Sequence, residues 1–483
     1  MRSYLLLPLT AAVAAGTLAG CTVGPNYAGP PKSASGTVAP GFVRADAEAT
    51  TSAPPVAEWW KTLGDARLDA LIVQALAGNN DVQASEARLR QARAALGEQR
   101  ANQAPKANVS ALYAHAHIPG ASLGSSDGDG GGDGEGGSSD SDLNLYNLGF
   151  DASWEIDLFG GQRRTVEAAR ATAEGAEASL ADVQVSLSAE VAQAYLNLRD
   201  RQQRIALGEQ GIGLQQDVLA LTRQRFGAGT ATAAEVADAE SRLAATRAQI
   251  APLAAQRDAY LNALAVLTGQ EPGAVDADLL APGEIPLPPA SVPIGDPAGL
   301  IAHRPDIRAA ERTLAAETAR IGQAEAARFP RLSFMGLIGI GGTKISDLGN
   351  LDDFVAIGAP QLSWSFLDFG RNKARVGQAE AKRDEAEARY RGTVLTALRD
   401  AEDSLARFRE GRTTVAALAR VRDKAALTAR LAQDRYHAGT ATKTVALGAQ
   451  SDLNRAEQDL VTARATLTAD YVAIQKALGL AWR

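Results

Sequence analysis

The sequence predicts a mainly α-helical chain with a smaller transmembrane β portion, built from two tandem structural repeats and able to close a barrel only as an oligomer. Three observations carry this expectation. A long unit occurs twice. Two proline-free stretches suit helices much longer than those of ordinary globular domains. A few segments alternate strictly between apolar and polar residues.

The repeat is the firmest of the three. Trp154-Glu155-Ile156-Asp157-Leu158-Phe159-Gly160 returns as Trp364-Ser365-Phe366-Leu367-Asp368-Phe369-Gly370, and Arg225-Phe226-Gly227-Ala228-Gly229-Thr230-Ala231-Thr232 returns as Arg435-Tyr436-His437-Ala438-Gly439-Thr440-Ala441-Thr442. Upstream, Asn80-Asp81 through Pro105 matches Pro305-Asp306 through Pro330. The downstream pairs lie about 210 residues apart and the upstream pair about 225, as expected for a duplicated unit with one insertion. The insertion falls at Gly124 to Asp140 of the first copy.

Residues 1–20 have the form of a signal peptide: Arg2, the apolar stretch Leu5 to Leu18, then small residues. The stretch ends Leu18-Ala19-Gly20-Cys21, a lipobox pattern, and Cys21 is the single cysteine of the chain. Cleavage before Cys21 frees its thiol for a diacylglycerol thioether and its amino group for a further acyl chain. No disulfide framework exists, so stability has to come from packing. Thr22 in place of aspartate favours the outer membrane, by resemblance to bacterial lipoproteins. Residues 21–64, rich in Pro, Ala, Ser and Thr, read as a lipidated extended tether ending at Trp59-Trp60. The repeats then occupy 65–268 and 298–483, joined by a Pro-rich connector over 269–297. Each runs helix, strand, loop, strand, very long helix, helix.

The long helices are expected from about Gly160 to Phe226 and from about Gly370 to Tyr436. Ala, Glu, Gln, Arg and Leu dominate both, all strong helix formers. At 1.5 Å per residue each is about 100 Å long. The apolar seam of the first is Ala176, Leu180, Val183, Leu187, Val191, Ala194 and Leu198. That of the second is Ala386, Tyr390, Val394, Ala397, Ala401, Leu405 and Phe408. The step is about 3.67 residues, which gives nearly straight packing and not a heptad supercoil. Medium helices are expected over about 78–103, 232–268, 304–329 and 442–479, short enough to stack in pairs beside the long ones.

The strand signal is clearest from Tyr146 to Leu158. Tyr146, Leu148, Phe150, Ala152, Trp154, Ile156 and Leu158 make one face; Asn147, Gly149, Asp151, Ser153, Glu155 and Asp157 make the other. A half-buried strand of a soluble sheet has the same period. A face bearing three carboxylates suits water inside a barrel, with lipid outside. Leu332, Phe334, Ile338 and Ile340, then Phe354, Leu362, Trp364 and Phe366, give weaker faces, and 108–118 the weakest. After residue 21 no apolar run reaches the roughly 18 residues of a spanning helix, so any membrane crossing uses strands. About four strands cannot close a membrane barrel, and an open edge in lipid is prohibitive, so several copies have to share one.

At this point the residues resemble a family, the TolC/OprM-type outer membrane factors and within it the NodT-like efflux lipoprotein branch. The resemblance rests on Cys21-Thr22-Val23-Gly24-Pro25-Asn26-Tyr27, Trp59-Trp60 with Leu63 and Asp65, Ala75-Leu76 with Asn80, and above all His303-Arg304-Pro305-Asp306-Ile307-Arg308-Ala309-Ala310-Glu311 with Ile321-Gly322, Phe329-Pro330 and Leu332-Ser333. It covers essentially the whole mature chain. It implies a homotrimer with a 12-stranded shared outer-membrane barrel, four strands per chain, continuous with a long periplasmic helical tunnel. The implied function is passive export of small molecules delivered by an inner-membrane pump, of RND type, through a periplasmic adaptor. The adaptor-docking tips it implies are Arg225, Phe226, Gly227, Gly229 and Thr230 with Arg435, Tyr436, Gly439 and Thr440. Relatives often ring the closed aperture with acidic residues after the second tip. Here that stretch is Lys443-Thr444-Val445-Ala446-Leu447-Gly448, without a carboxylate, while the first copy keeps Glu235 and Asp238. Glu235, Asp238 and Lys443 are therefore either a periplasmic gate with a Lys-to-acid contact or solvated charges beside a turn. Lipid-facing barrel residues are Tyr146, Phe150, Trp154, Ile156 and Trp364; Cys21 is the lipidation site.

Other signals point elsewhere or nowhere. The formal net charge of −7 argues against nucleic acid as a partner. No phosphate loop, nucleophile elbow, dinucleotide fingerprint or zinc spacing occurs, so neither an enzyme nor a cofactor is expected. The acidic, glycine-rich run Ser125 to Asp142 fits no EF-hand and reads as a solvent-facing loop. His115 and His117 share a strand face without a visible third ligand, so no metal is expected. Two rivals share parts of the pattern: a type I protein-secretion channel, and a non-conducting structural envelope lipoprotein.

Overall fold

The computed structural model describes residues 22–31, 40–118, 141–349, 352 and 354–479. Cys21, the signal peptide and most of the acidic glycine-rich run lie outside the described residues. The main elements, in chain order, are α1 (Ala66–Gly78), α2 (Asn80–Ala101), β1 (Lys106–Ile118), β2 (Ser141–Ile156), α3 (Gly161–Gly227), α4 (Ala233–Leu267), α5 (Pro305–Ala326), β3 (Arg331–Gly342), β4 (Phe354–Ser363), α6 (Arg371–His437) and α7 (Lys443–Leu478). Both long helices contain 67 residues.

The chain divides into two compact units. The first comprises residues up to Gly29, Ala92–Ala173 and Thr313–Ala386; the second comprises Pro30–Gln91, Glu174–Arg312 and Glu387–Arg483.

The first unit holds a four-stranded antiparallel sheet in the order β1-β2-β3-β4. Strand ends differ slightly from the sequence pattern: β2 stops at Ile156 and β4 at Ser363, so Leu158, Trp364 and Phe366 lie just beyond the ladder. The described start of the chain is not free here. Val23 N–H donates to Phe159 O at 3.1 Å, and the buried Arg164 side chain donates to Val23 O, Gly24 O and Asn26 Oδ1. Gly24 has φ 87°, and a Cβ there would stand 2.4 Å from Gly322 Cα. Glycine at 24 lets the two backbones meet this closely, and a Cβ at Gly322 would instead stand 2.7 Å from Arg164 Nε.

In the second unit, single medium helices were expected before each first strand, and each is instead preceded by a shorter one. Asn79, with extended backbone, separates α1 from α2, and its Oδ1 accepts from Asp81 N–H and Val82 N–H. Arg304 separates the short helix Pro297–His303 from α5, because a residue before proline disfavours the helical region. These two breaks are repeat equivalents with a shared task. Asn79 Nδ2 donates to Leu267 O, the last carbonyl of α4, at 3.0 Å. Arg304 Nη1 donates to Ala477 O, near the end of α7, at 2.7 Å. An orphan helix carbonyl is satisfied by a different side chain in each half, and the paired medium helices meet end to end.

The core of this unit gathers around Trp59, Tyr195, Phe408 and Tyr471, all nearly inaccessible. Trp59 meets Trp60 and Tyr471 edge to face, with ring centroids 5.8 Å and 6.1 Å apart, and Thr62 Oγ1 lies 2.6 Å from Tyr471 Oη. The segment read as an extended tether over 21–64 therefore plugs the core with its last residues. Upstream, Glu402 accepts from the N–H groups of Val43 and Arg44, both at 2.8 Å, and Thr50–Thr51 pairs in parallel with Val292–Pro293. Trp59→Ala should cost about 3–5 kcal/mol, the usual loss for emptying a buried aromatic site. Thermal melts of the purified protein check this, and an unchanged midpoint would mean that the segment only drapes the surface.

Every residue of the predicted α6 seam is buried, from Ala386 to Phe408. In α3 the middle is buried on several faces, because the connector covers Arg199 and Gln202 while Tyr195 meets Asp65. Arg199 Nη1 donates to Ala281 O at 2.8 Å, Gln202 Nε2 to Leu279 O at 2.7 Å, and Gln203 Nε2 to Gly283 O at 3.0 Å. Burial raises the Tyr195 hydroxyl to about 12, and Asp65 Oδ2 accepts its proton at 2.5 Å.

Candidate functional site

Two regions carry the functional argument: the faces of the sheet in the first unit, and the helix turns in the second.

Side chains directly opposite in an antiparallel ladder share a face. Phe150 stands opposite Val109 on one side and Ile338 on the other, and Ile338 opposite Ala356. Trp154 stands opposite Phe334, and Ile156 opposite Leu332, which faces Leu362. The register thus puts the weaker faces of β1, β3 and β4 on the same side as the clear face of β2. Phe150 is 62 % exposed and Ile338 52 %, a continuous apolar surface that nothing among the described residues covers.

Aromatic residues bound this surface at two levels. Tyr113 and Tyr146 pack with ring centroids 4.9 Å apart at one level. At the other, Trp154 Nε1 donates to Gln103 O at 3.0 Å, and its repeat equivalent Trp364 donates to Arg328 O at 3.1 Å. Amphipathic rings at both rims and an apolar band between them match the girdles of an outer-membrane barrel. Beyond the Tyr113–Tyr146 pair the chemistry inverts. His115 Nδ1 contacts Asn144 Oδ1 at 2.9 Å on the formerly apolar face, while Leu143 and Leu145 occupy the other. The apolar face of the sheet therefore includes Tyr146, Phe150, Trp154 and Ile156, with Trp364 just beyond the ladder.

The opposite face is polar along β1 and β2. Asn108 Nδ2 donates to Asp151 Oδ2 at 3.1 Å, and Lys106 stands opposite Ser153. It opens at the foot of the sheet on a cavity of about 790 Å³ lined by Lys106, Glu155, Asp157, Gln162, Arg331 and Arg375, among others. Met335, Leu337, Val355 and Ile357 make the same face apolar on β3 and β4, a stripe that the sequence alternation does not show.

The two turns are near copies. Gly229 has φ 74° and Gly439 φ 69°. Gly229 N–H donates to Phe226 O and Gly439 N–H to Tyr436 O; Thr230 N–H donates to Arg225 O and Thr440 N–H to Arg435 O, the last two at 2.8 Å. Each turn closes its helix with a left-handed residue, the usual role of glycine there. Arg225 also donates to Thr230 O at 3.0 Å, and Phe226 is half exposed.

The candidate gate residues have identifiable local engagements. Thr232 caps α4, and Glu235 completes a capping box: Thr232 N–H donates to Glu235 Oε2 at 2.7 Å, and Glu235 N–H to Thr232 Oγ1 at 3.2 Å. The Thr232 N–H, then its hydroxyl, hold the Glu235 carboxyl below its ordinary range. The spacing Thr-x-x-Glu is the sequence signature of this box and would have found it. Asp238 pairs with Arg242 one turn along, at 2.9 Å, both exposed. Lys443 opens α7 and is exposed; among the described residues no ion pair joins it to Glu235 or Asp238.

An apolar belt on a sheet with a polar reverse face, together with paired long helices ending in matched turns, defines a channel-forming protein of the outer membrane. The chain belongs to the outer membrane efflux protein family, matching it over residues 71–270 and 298–480. It is 31% identical to Nodulation protein T of Rhizobium leguminosarum bv. trifolii, over 96% of this chain and 95% of that protein. It is likewise 31% identical to Outer membrane protein OprJ of Pseudomonas aeruginosa, over 96% and 94%. Among solved structures, the outer-membrane channel OprN superposes with a TM-score of 0.84 at 34% identity, covering 95% of this chain and 99% of that one.

Proposed function

We propose that this protein is the outer-membrane exit duct of a tripartite efflux system: a passive, homotrimeric channel that carries small molecules from an inner-membrane pump to the exterior. The observation that carries the reading is the register of the sheet, which gathers Val109, Phe150, Trp154, Phe334, Ile338 and Leu362 on one face and leaves one edge of β1 and one of β4 unpaired among the described residues. Such a sheet is stable in a bilayer only when other copies close it. The relatives' printed names, which include antibiotic and toluene efflux components, support the small-molecule reading. The matched turns at Gly229 and Gly439 are the docking points for a periplasmic adaptor, and the pump behind it is of RND type. The duct supplies no reactive chemistry; selectivity rests with the pump.

Deleting the gene should sensitise the cell to drugs and dyes, and a plasmid copy should restore resistance. A deletion that leaves susceptibility unchanged but traps a secreted protein in the cell would favour the type I secretion reading.

Cys21 is the lipid anchor. Cys21→Ser should leave uncleaved or unanchored precursor with no acyl label. Persistent metabolic acyl labelling of that variant would refute the lipobox assignment.

A further inference from the structure

The foot of the sheet's polar face carries a surplus of positive charge. We propose that Lys106, Arg331 and Arg375 form a cationic collar at the foot of the barrel, and that it favours small molecules bearing carboxylates over neutral and cationic ones. The proposal deepens the exit-duct reading and rests on it. The pump still chooses the cargo; the collar acts on what the pump delivers.

The internal repeat places two of these cations. It carries Pro105 onto Pro330 and Trp154 onto Trp364, so Lys106 corresponds to Arg331 and Ser153 to Ser363. The ladders keep that correspondence: Lys106 stands opposite Ser153 in the first hairpin, and Arg331 opposite Ser363 in the second. Both belong to the polar face. Lys106 alternates into it with Asn108, and Arg331 with Ser333, which stands opposite Glu155. One chain thus sets a cation at the same seat twice, and a homotrimer repeats the pair around the barrel. The carboxylates do not repeat with them: Glu155 corresponds to Ser365 and Asp157 to Leu367.

Arg375 joins the pair from the start of α6. Lys106, Glu155, Asp157, Arg331 and Arg375 are the charged residues that line the cavity of about 790 Å³ at the foot of the sheet. Asp157 is already engaged, its Oδ2 accepting from Arg163 N–H at 2.9 Å and Arg163 Nε at 3.3 Å. Asp151, higher on the same face, accepts from Asn108 Nδ2 at 3.1 Å. Three cations therefore face Glu155 alone, and among the described residues no ion pair holds any of the three. All three are exposed and open to a solute.

Fold stability does not account for this excess. α6 opens with Arg371, Lys373 and Arg375 and has no carboxylate in its first turn, the sign that the helix dipole disfavours there. Asp368, just ahead of it, is engaged by the N–H groups of Gly370 and Asn372. Unpaired like charges around one opening repel each other, and an anion between them relieves the repulsion. Low-dielectric walls focus such a field, and rings of Lys and Arg favour anions in a pore as rings of Asp and Glu favour cations.

The test is the reversal potential of the full-length trimer in a planar bilayer under a potassium chloride gradient. Salt is kept at about 0.1 M or below, where screening sets in only beyond about 10 Å. Lys106→Gln with Arg331→Gln should lower the chloride-to-potassium permeability ratio by about twofold or more, and Glu155→Gln should raise it. Lys106→Arg with Arg331→Lys keeps the charge and should match the parent. Citrate is the carboxylate probe: it should reduce the current of the parent and leave that of the double glutamine variant nearly unchanged. Detergent sizing confirms that each variant is an assembled trimer. A double glutamine variant with the parent's permeability ratio overturns the collar and leaves the duct intact. Should that variant fail to assemble, Glu155→Gln decides alone, and an unchanged ratio overturns the collar. Citrate that blocks parent and variant equally overturns the carboxylate assignment. A parent trimer that inserts and carries no current overturns the duct reading, and the collar with it.

Discussion

Phe150→Arg is expected to abolish insertion of the protein into the outer membrane. Phe150 sits in the middle of the apolar face between Val109 and Ile338 and is 62 % exposed to what the sheet faces. A guanidinium near the bilayer midplane costs about 2–4 kcal/mol per site, and a trimer carries the burden three times. Ser153→Arg, three residues on and on the opposite face beside Lys106 and Met335, should insert normally. Membrane fractionation of the two variants is the measurement. Equal behaviour would mean that the faces are wrongly assigned, because a single residue's change of side is all that separates them.

Gly229→Pro combined with Gly439→Pro should abolish efflux while leaving insertion intact. Both glycines hold φ near +70°, and proline is fixed near −65°. Each also donates its N–H to the preceding turn, to Phe226 O and Tyr436 O, and proline has none to give. The start of the next helix must therefore move at both turns. No atom lies within 4 Å of a Cβ built at either glycine, so alanine adds only left-handed strain, about 1–2 kcal/mol, and should pump nearly as well as the parent. Susceptibility assays alongside membrane fractionation check this. A proline pair that pumps normally would place adaptor docking elsewhere.

Much of this was legible in the sequence, for specific reasons. The α6 seam was visible because its other faces are charged, so seven apolar residues stand out. The stretch that follows the α3 seam was not. Arg199-Asp200-Arg201-Gln202-Gln203-Arg204 has the composition of a solvated face, and its burial depends on carbonyls of the connector about 80 residues away. Asp200 shows the consequence: burial pushes its carboxyl up, against the pull of Arg201 and Arg204. The face of β2 was clear from its large residues. That of β1 was faint because alanines at 107 and 111 carry it, and only the ladder to β2 fixes its phase. The shared task of Asn79 and Arg304 was hidden by their unlike chemistry. The turns were legible because the chain states them twice. At Glu235 the spacing Thr-x-x-Glu also spells the capping box that the structure shows.

As an exit duct, the assembled protein encloses a water-filled path through the outer membrane. Purified trimer added to a planar lipid bilayer tests it most directly. Discrete conductance steps are expected, one unit size per trimer, absent for Phe150→Arg and retained for Ser153→Arg. Folded trimers that insert yet carry no current, across the full range of applied voltage, would contradict it and leave a membrane-anchored scaffold in its place.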